Sequence, residues 1–287
     1  MRIPFLLLTP ACVLLGVGTA VWTSEHVSIL YVILVFIGAL SAHISVNSLN
    51  EYFDFKSGLD FKTRRTPFSG GSGTLPENPK MARHALGTGL ITFGITASIG
   101  IFFLIVRGLL LLPLGLFGLL IVFFYTDWFT RDPLLCLIAP GLGFGPLMVM
   151  GADFVLTGGY SLTAFIASLV PFFLVSNLLL LNQFPDIEAD REVGRKHFPI
   201  IVGARVSSLI YGAFLLLAYA SIIFGVFFEI LPRFTLLGLL TIPIAVAAFY
   251  AAYRYGENIK KLIPYMGLNV IIVILTPVLV ATGLFIG

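Results

Sequence analysis

Nine apolar runs, each of about 18 residues or more, restrict this chain more than any other feature, because an α-helix of that length crosses the hydrocarbon core of a bilayer. They cover residues 4–22, 28–53, 84–106, 108–125, 134–157, 161–184, 206–228, 235–253 and 263–286. Lipid offers the backbone no hydrogen-bond partner, so such runs must satisfy their own N–H and C=O groups within helices. Composition agrees: 58% of residues are hydrophobic and 11% charged, against roughly 45–50% and 25% in soluble domains. The expected fold is therefore all-α and polytopic, a single transmembrane domain over 1–287 with nine spanning helices. The first run follows Arg2 and has the look of a signal peptide. It exceeds a roughly 7–15-residue h-region, however, and no Ala-x-Ala site follows, so it is read as a spanning helix. Only Arg107 and Gly108 separate the third run from the fourth, which makes that break the narrowest.

The net charge of +3 matters less than its placement. With the N-terminus in the cytoplasm, all but Arg107 and Arg233 of the 17 basic residues fall on the cytoplasmic face, the bias of the positive-inside rule. The loops after the second and sixth runs then share that face. A multi-pass protein of the inner (cell) membrane is expected, in contact with the lipid bilayer and with no nucleic-acid partner. Cys12 and Cys136 both sit in apolar surroundings and read as small buried hydrophobes, not as a disulfide framework.

Two polar stretches interrupt this background. His43, Asn47, Asn50 and Asp54 recur at spacings that put them on one helix face. A polar stripe at the end of an apolar helix needs something to bind. Asp60 follows beyond Gly58, where the helix is expected to end and the chain to fold back. At the end of the sixth run, Asn182 and Asp186 repeat the Asn50-x-x-x-Asp54 spacing, and Asp190 stands one helical turn further on. The matched ends suggest two four-helix halves in parallel arrangement with a ninth helix added. Carboxylate and amide oxygens are the hard ligands of Mg²⁺, usually one or two carboxylates per ion, with phosphate and water completing the shell. The two stretches thus read as one divided site for metal ions and a polyphosphate, and four aspartates with two asparagines would suit two or three ions.

Lys56, Lys62, Arg64 and Arg65 accompany the first stretch; Arg191, Arg195 and Lys196 accompany the second. Such side chains clamp phosphate oxygens, and they serve equally as topology determinants or as contacts to anionic lipid. Gly70-Gly71-Ser72-Gly73 lacks the Gly-Lys-Ser/Thr of a P-loop and reads as a mobile linker or a lid. Tyr125 is placed either to donate its hydroxyl to a phosphate or to join the interfacial aromatics. His43 reads as a packed histidine, and His26, His84 and His197 show no zinc spacing. The 27 phenylalanines are packing and lipid-facing residues by default. A subset would suit an isoprenoid tail, and aromatic faces stabilise a carbocation by ~2 kcal/mol or more when desolvated.

Asn50-x-x-x-Asp54 with Asp60, paired with Asp186-x-x-x-Asp190, resembles the two motifs of the UbiA superfamily of intramembrane aromatic prenyltransferases. Nine spanning helices, with aspartate-rich loops after the second and sixth, match that family over nearly the whole chain. Within it, NEYFDFKSGLD (50–60) followed by PFSGGSG (67–73), and DIEADREVGRK (186–196), are similar to the 1,4-dihydroxy-2-naphthoate polyprenyltransferase branch, whose members make demethylmenaquinone. The resemblance implies helices around a central cavity, a polyprenyl diphosphate donor, an aromatic acceptor and Mg²⁺. It implies catalytic roles for Asp54, Asp60, Asp186 and Asp190, which with Asn50 and Asn182 would hold the metal. It also implies substrate contacts from Asn47, Asn50, Lys62, Arg64, Arg65, Tyr125, Asn182, Arg191 and Lys196. One departure is Gly58, at the position where the family often carries the last aspartate of the first motif; Asp60 is taken to substitute, as in the naphthoate branch.

Within the family, the alternative is the same chemistry on 4-hydroxybenzoate, homogentisate, a chlorophyllide, heme or a lipid glycerol ether. From another class, a transporter would place its ionisable groups near mid-membrane, whereas these cluster at one face. A non-catalytic scaffold gives matched aspartates no purpose.

Overall fold

The computed structural model describes residues 3–287 apart from Glu25, Arg64 and Asp127. The described residues form helices joined by turns. Eight helices, some entered through a short 3₁₀ turn, are long and apolar enough to span: α1 (Phe5–Thr23), α2 (Ile29–Lys56), α3 (Pro79–Arg107), α5 (Pro133–Thr157), α6 (Leu162–Asn182), α7 (Phe198–Phe227), α8 (Arg233–Tyr255) and α9 (Ile259–Ile286). Between α3 and α5 lies a shorter apolar helix, α4 (Leu109–Phe124), so each of the nine expected segments is a helix. The break between α3 and α4 falls at Gly108, whose φ of 90° is cheap only without a Cβ. Three helices, α3, α7 and α9, start at least four residues earlier than hydropathy suggests. The α7 helix begins at Phe198 with Pro199 in its first turn and is kinked at Gly203. The start of α9 is capped by the Asn258 side chain, which accepts from the Lys261 N–H at 3.3 Å.

Proline shapes α5. Pro140 and Pro146 lack the N–H that would continue the ladder, and the helix widens to a π-helical segment over Gly143–Met150. Such wide turns often mark functional sites, and here Gly143, Phe144, Leu147 and Met148 line the main cavity. On its other side α5 packs closely on α6. A Cβ on Gly145 would lie 2.5 Å from the Ser168 carbonyl oxygen, so the two backbones meet through a small residue, the usual device where lipid supplies no hydrophobic drive.

Of the spans, α1 and α6 are the most buried and α3 the least. A large core draws Cys12 and Leu15 of α1, Leu174 of α6, Tyr211 of α7 and Met266 of α9 together. A smaller one joins Val13 of α1, Val35 of α2, Phe103 of α3 and Phe154 of α5. Large apolar side chains such as Ile105, Leu109 and Leu216 point outward, as a bilayer rather than water requires. The chain is a multi-pass membrane protein.

Hydrogen bonds fix which loops share an end. At one end Asn50 Nδ2 donates to Thr126 Oγ1 at 3.2 Å, the Lys196 N–H to the Thr130 carbonyl at 2.9 Å, and the Gly70 N–H to Asp186 Oδ2 at 3.2 Å. At the other, the Arg107 guanidinium donates to the carbonyls of Val155 at 2.6 Å and Leu156 at 2.9 Å. The loops after α2 and α6 therefore meet, as the spacing of the charges requires.

Candidate active site

The helical phase of α2 decides what faces the interior. His43, Asn47, Asn50 and Asp54 all line one cavity of about 660 Å³ enclosed mainly by α2 to α6, so the expected polar stripe exists and points inward. His43 is the packed histidine of that stripe, with Nδ1 2.7 Å from Thr9 Oγ1 and its ring edge-on to Phe144 at 4.7 Å. Asn47 turns its amide back to the His43 carbonyl at 2.9 Å. After Lys56 the helix ends; Gly58 adopts a left-handed φ of 79° and leads into a 3₁₀ turn, Leu59–Phe61, that buries Asp60.

The second stretch approaches from α6. Asn182 closes that helix, and Asp186 precedes a six-residue helix, Ile187–Glu192, in which the Asp190 N–H donates to the Asp186 carbonyl at 2.9 Å. Asn182, Asp186 and Asp190 line the same cavity as Asn50 and Asp54. A smaller cavity of about 30 Å³ is walled by Asp54, Asp60, Asp186, Asp190, Gly70, Gly71 and Arg195. All four candidate aspartates thus converge. The glycine-rich segment borders both cavities, and a Cβ on Gly71 would sit 2.7 Å from Asp60 Oδ1; it acts as a close-fitting wall rather than a free linker.

Arg195 holds the centre. Its Nη2 donates to Asp54 Oδ1 and its Nη1 to Asp190 Oδ1 at 3.1 Å, while Asp190 Oδ2 lies 3.1 Å from His197 Nε2. Burial opposes the guanidinium's charge, but Asp54 and Asp190 outweigh it and keep the group more firmly protonated than usual. Burial raises Asp186 to about 7, and the neighbouring Asp190 charge adds to that, against the Gly70 N–H and Ser69 hydroxyl. Burial likewise raises Asp60 to about 6, helped by Glu51 and opposed by Arg195 and Arg65. Closely spaced carboxylates out of water resist ionising together.

A divalent cation would relieve this. Asn182 Oδ1 and Asp186 Oδ1 are buried and lack hydrogen-bond partners among the described residues, and unpaired buried oxygens are costly. Both are hard donors of the kind Mg²⁺ takes, so the residues present fit that ion. Among the described residues no three acidic, histidine or cysteine side chains converge closely enough to hold an ion unaided.

Tyr125 joins the cavity wall, as does Cys136, whose Sγ accepts from Gln183 Nε2 at 3.1 Å. The other basic candidates sit elsewhere. Lys62 pairs with Glu192 at 2.9 Å and Arg65 with Glu77 at 2.6 Å, both exposed to solvent, and Arg191 and Lys196 are exposed outside the cavity lining. Arg64 lies outside the described residues. The basic residue that does enter the site, Arg195, looks no different in sequence from Arg191 or Lys196; only the turn after the short helix distinguishes it.

Comparison with known proteins gives the same assignment. The UbiA prenyltransferase family profile matches residues 9–280. A 1,4-dihydroxy-2-naphthoate octaprenyltransferase of Bacillus subtilis is 27% identical over 213 residues, covering 72% of this chain and 66% of that protein. A UbiA prenyltransferase domain-containing protein 1 of Xenopus tropicalis is 29% identical over 245 residues, covering 81% and 66%; the matches thus span just under two thirds of these relatives' own length. In fold, the chain is similar to a UbiA homologue from Aeropyrum pernix K1, with TM-score 0.77, 17% identity, and 100% and 98% of the two chains covered. A homologue from Archaeoglobus fulgidus bound to GPP and Mg²⁺ superposes with TM-score 0.61 at 14% identity, covering 96% and 99%.

Proposed function

This chain belongs to the UbiA prenyltransferase family, and from that premise we propose that it transfers a polyprenyl group from its diphosphate to 1,4-dihydroxy-2-naphthoate with Mg²⁺ as cofactor. The observation that carries the proposal is the convergence of Asp54, Asp60, Asp186 and Asp190 at one end of an otherwise apolar cavity. A charged headgroup with a long apolar tail is the substrate class that such a gradient of polarity fits. The Archaeoglobus homologue bound to GPP and Mg²⁺ supports the donor and the ion. The name of the Bacillus relative supports the acceptor.

When bound, Mg²⁺ would neutralise charge on the diphosphate and make it a better leaving group. Asp54, Asp60, Asp186 and Asp190, with the amide oxygens of Asn50 and Asn182, would hold the ion. The Gly70–Ser72 segment, bonded to Asp186 and packed on Asp60, would limit access of bulk water, so that an allylic cation would meet the acceptor before it met solvent. The acceptor ring would form the new bond to the prenyl carbon as the carbon–oxygen bond to diphosphate breaks, and loss of the 2-carboxylate as CO₂ would restore aromaticity and leave the carboxyl-free ring of a demethylmenaquinol. Aliphatic and aromatic walls from Val35, Phe103, Leu119 and Phe144 would take the tail. By the distribution of basic residues, the site would open to the cytoplasm, with Lys62, Arg65, Arg191 and Lys196 at its rim.

The test is to incubate the purified protein with Mg²⁺, a polyprenyl diphosphate and the acceptors 1,4-dihydroxy-2-naphthoate, 4-hydroxybenzoate and homogentisate separately, and to identify products by mass spectrometry. The prenylated, decarboxylated naphthoquinol is expected from 1,4-dihydroxy-2-naphthoate. Product with another acceptor alone would reassign the substrate, and diphosphate release without prenylated product would remove the aromatic-acceptor proposal.

A further inference from the structure

Carboxylates offered to a metal ought to be free of other charged partners, yet of the four here Asp54 and Asp190 are not. Asp54 Oδ1 and Asp190 Oδ1 are both bonded to Arg195, across 141 positions of sequence in the case of Asp54. The remaining Asp190 oxygen faces His197. Asp186, by contrast, keeps Oδ1 unpartnered beside the unpartnered Asn182 Oδ1 among the described residues. The guanidinium is not a surface group that happened to fold inward: its side chain is 18% exposed, against 14% for Asp54 and 4% for Asp190. It borders the 30 Å³ cavity itself. A cation fixed there cancels part of the field that would attract Mg²⁺ and occupies oxygens the ion needs at short range. A diphosphate, with its several negative charges, offers the guanidinium two parallel acceptors of the kind it prefers.

Resting on the metal–diphosphate reading of this site, we propose that Arg195 is a resident counter-ion that holds Asp54 and Asp190 together before substrate arrives and exchanges them for diphosphate oxygens when it binds. Arg195 thereby makes metal binding depend on the prenyl diphosphate: the free acidic site takes Mg²⁺ weakly, and the two ligands enter together. It is a positioning residue for the aspartates first and a diphosphate contact second.

The test measures Mg²⁺ affinity directly, by thermal stabilisation of the full-length protein in detergent and by Mn²⁺ binding followed by electron paramagnetic resonance. Each is run with and without geranyl S-thiolodiphosphate, an unreactive donor analogue. Wild type should bind the ion at least tenfold more tightly with the analogue present. Arg195→Gln should bind it at least tenfold more tightly than wild type without the analogue, and the analogue should add little. Arg195→Lys, which keeps the charge, should stay near wild type and guards against a folding defect in the glutamine variant. Unchanged or weaker metal affinity in Arg195→Gln, beside a normal response of wild type to the analogue, would overturn the counter-ion role alone. No response of wild type to metal with or without the analogue would overturn the metal–diphosphate site, and the counter-ion role with it.

Discussion

Asp186 illustrates how one residue can be read twice, first from spacing and then from its surroundings. Its place four residues after Asn182 is enough to nominate it, and its burial with an unpartnered Oδ1 supplies the physical motive for a cation. Because burial raises the group to about 7, the folded protein already tolerates a neutral side chain there. Asp186→Asn should therefore accumulate with a metal-free thermal stability near neutral pH no lower than that of wild type, while prenyl transfer falls roughly 10²–10³-fold, the range seen when one charge-stabilising group is removed. Turnover within a few-fold of wild type would exclude a role for this carboxylate. The same shifts have a consequence for pH. With Asp60 at about 6 and Asp186 at about 7 in the folded chain, both above the ordinary carboxylate value near 4, the folded state holds more protons than the unfolded state between those limits. Stability of the metal-free protein should thus fall as pH rises from about 4 to about 7 and level off above. Thermal unfolding in chelator across that range checks the sign; a rise would mean that these carboxylates are ionised throughout.

At the level of helices, what the sequence disclosed and what it concealed divide along a physical line. Hydropathy located every span because bilayer thickness imposes a length on each. The phase of α2 is legible because 3.6-residue periodicity is local, and His43, Asn47, Asn50 and Asp54 do line one cavity. The contribution of Arg195 was not legible, since it depends on how the turn after Glu192 aims a side chain toward an element far away in sequence. Nor was the glycine-rich segment, read as a linker or a lid: Gly70 bonds Asp186, and no local signal distinguishes a segment that closes on a partner from one that does not. The packing of α5 on α6 is similarly non-local and gives a contrast between two glycines. At Gly145 an added Cβ would strike the Ser168 carbonyl at 2.5 Å, whereas at Gly94 in α3 it would meet nothing within 4 Å. Gly145→Ala should destabilise by about 1–3 kcal/mol through overpacking. Gly94→Ala should gain roughly 0.5–1 kcal/mol from backbone entropy. Thermal melts of both variants in the same detergent check the two signs; a stabilised Gly145→Ala would mean that α5 and α6 separate easily enough to admit a methyl group.

For the whole molecule the open quantity is orientation, and the charge distribution makes a definite statement about it. The structure joins the loops after α2, α4 and α6 at one end, through the Gly70–Asp186, Asn50–Thr126 and Lys196–Thr130 hydrogen bonds. That end carries the aspartates and nearly all the basic residues, while Arg107 and Arg233 belong to the other. If positive charge is retained on the cytoplasmic side during insertion, the proposed donor-binding end would face the cytoplasm, where a water-soluble diphosphate headgroup is accessible. Cys12 and Cys136 are both buried, so single cysteines introduced elsewhere report without removing the native ones. In Lys80→Cys the thiol lies at the aspartate end and in Tyr160→Cys at the opposite end, both at exposed positions. A membrane-impermeant maleimide added to intact cells should label Tyr160→Cys and spare Lys80→Cys. Inverted membrane vesicles should give the reverse pattern. Labelling of Lys80→Cys from outside the cell would turn the molecule over, and with it the side from which the prenyl diphosphate must enter.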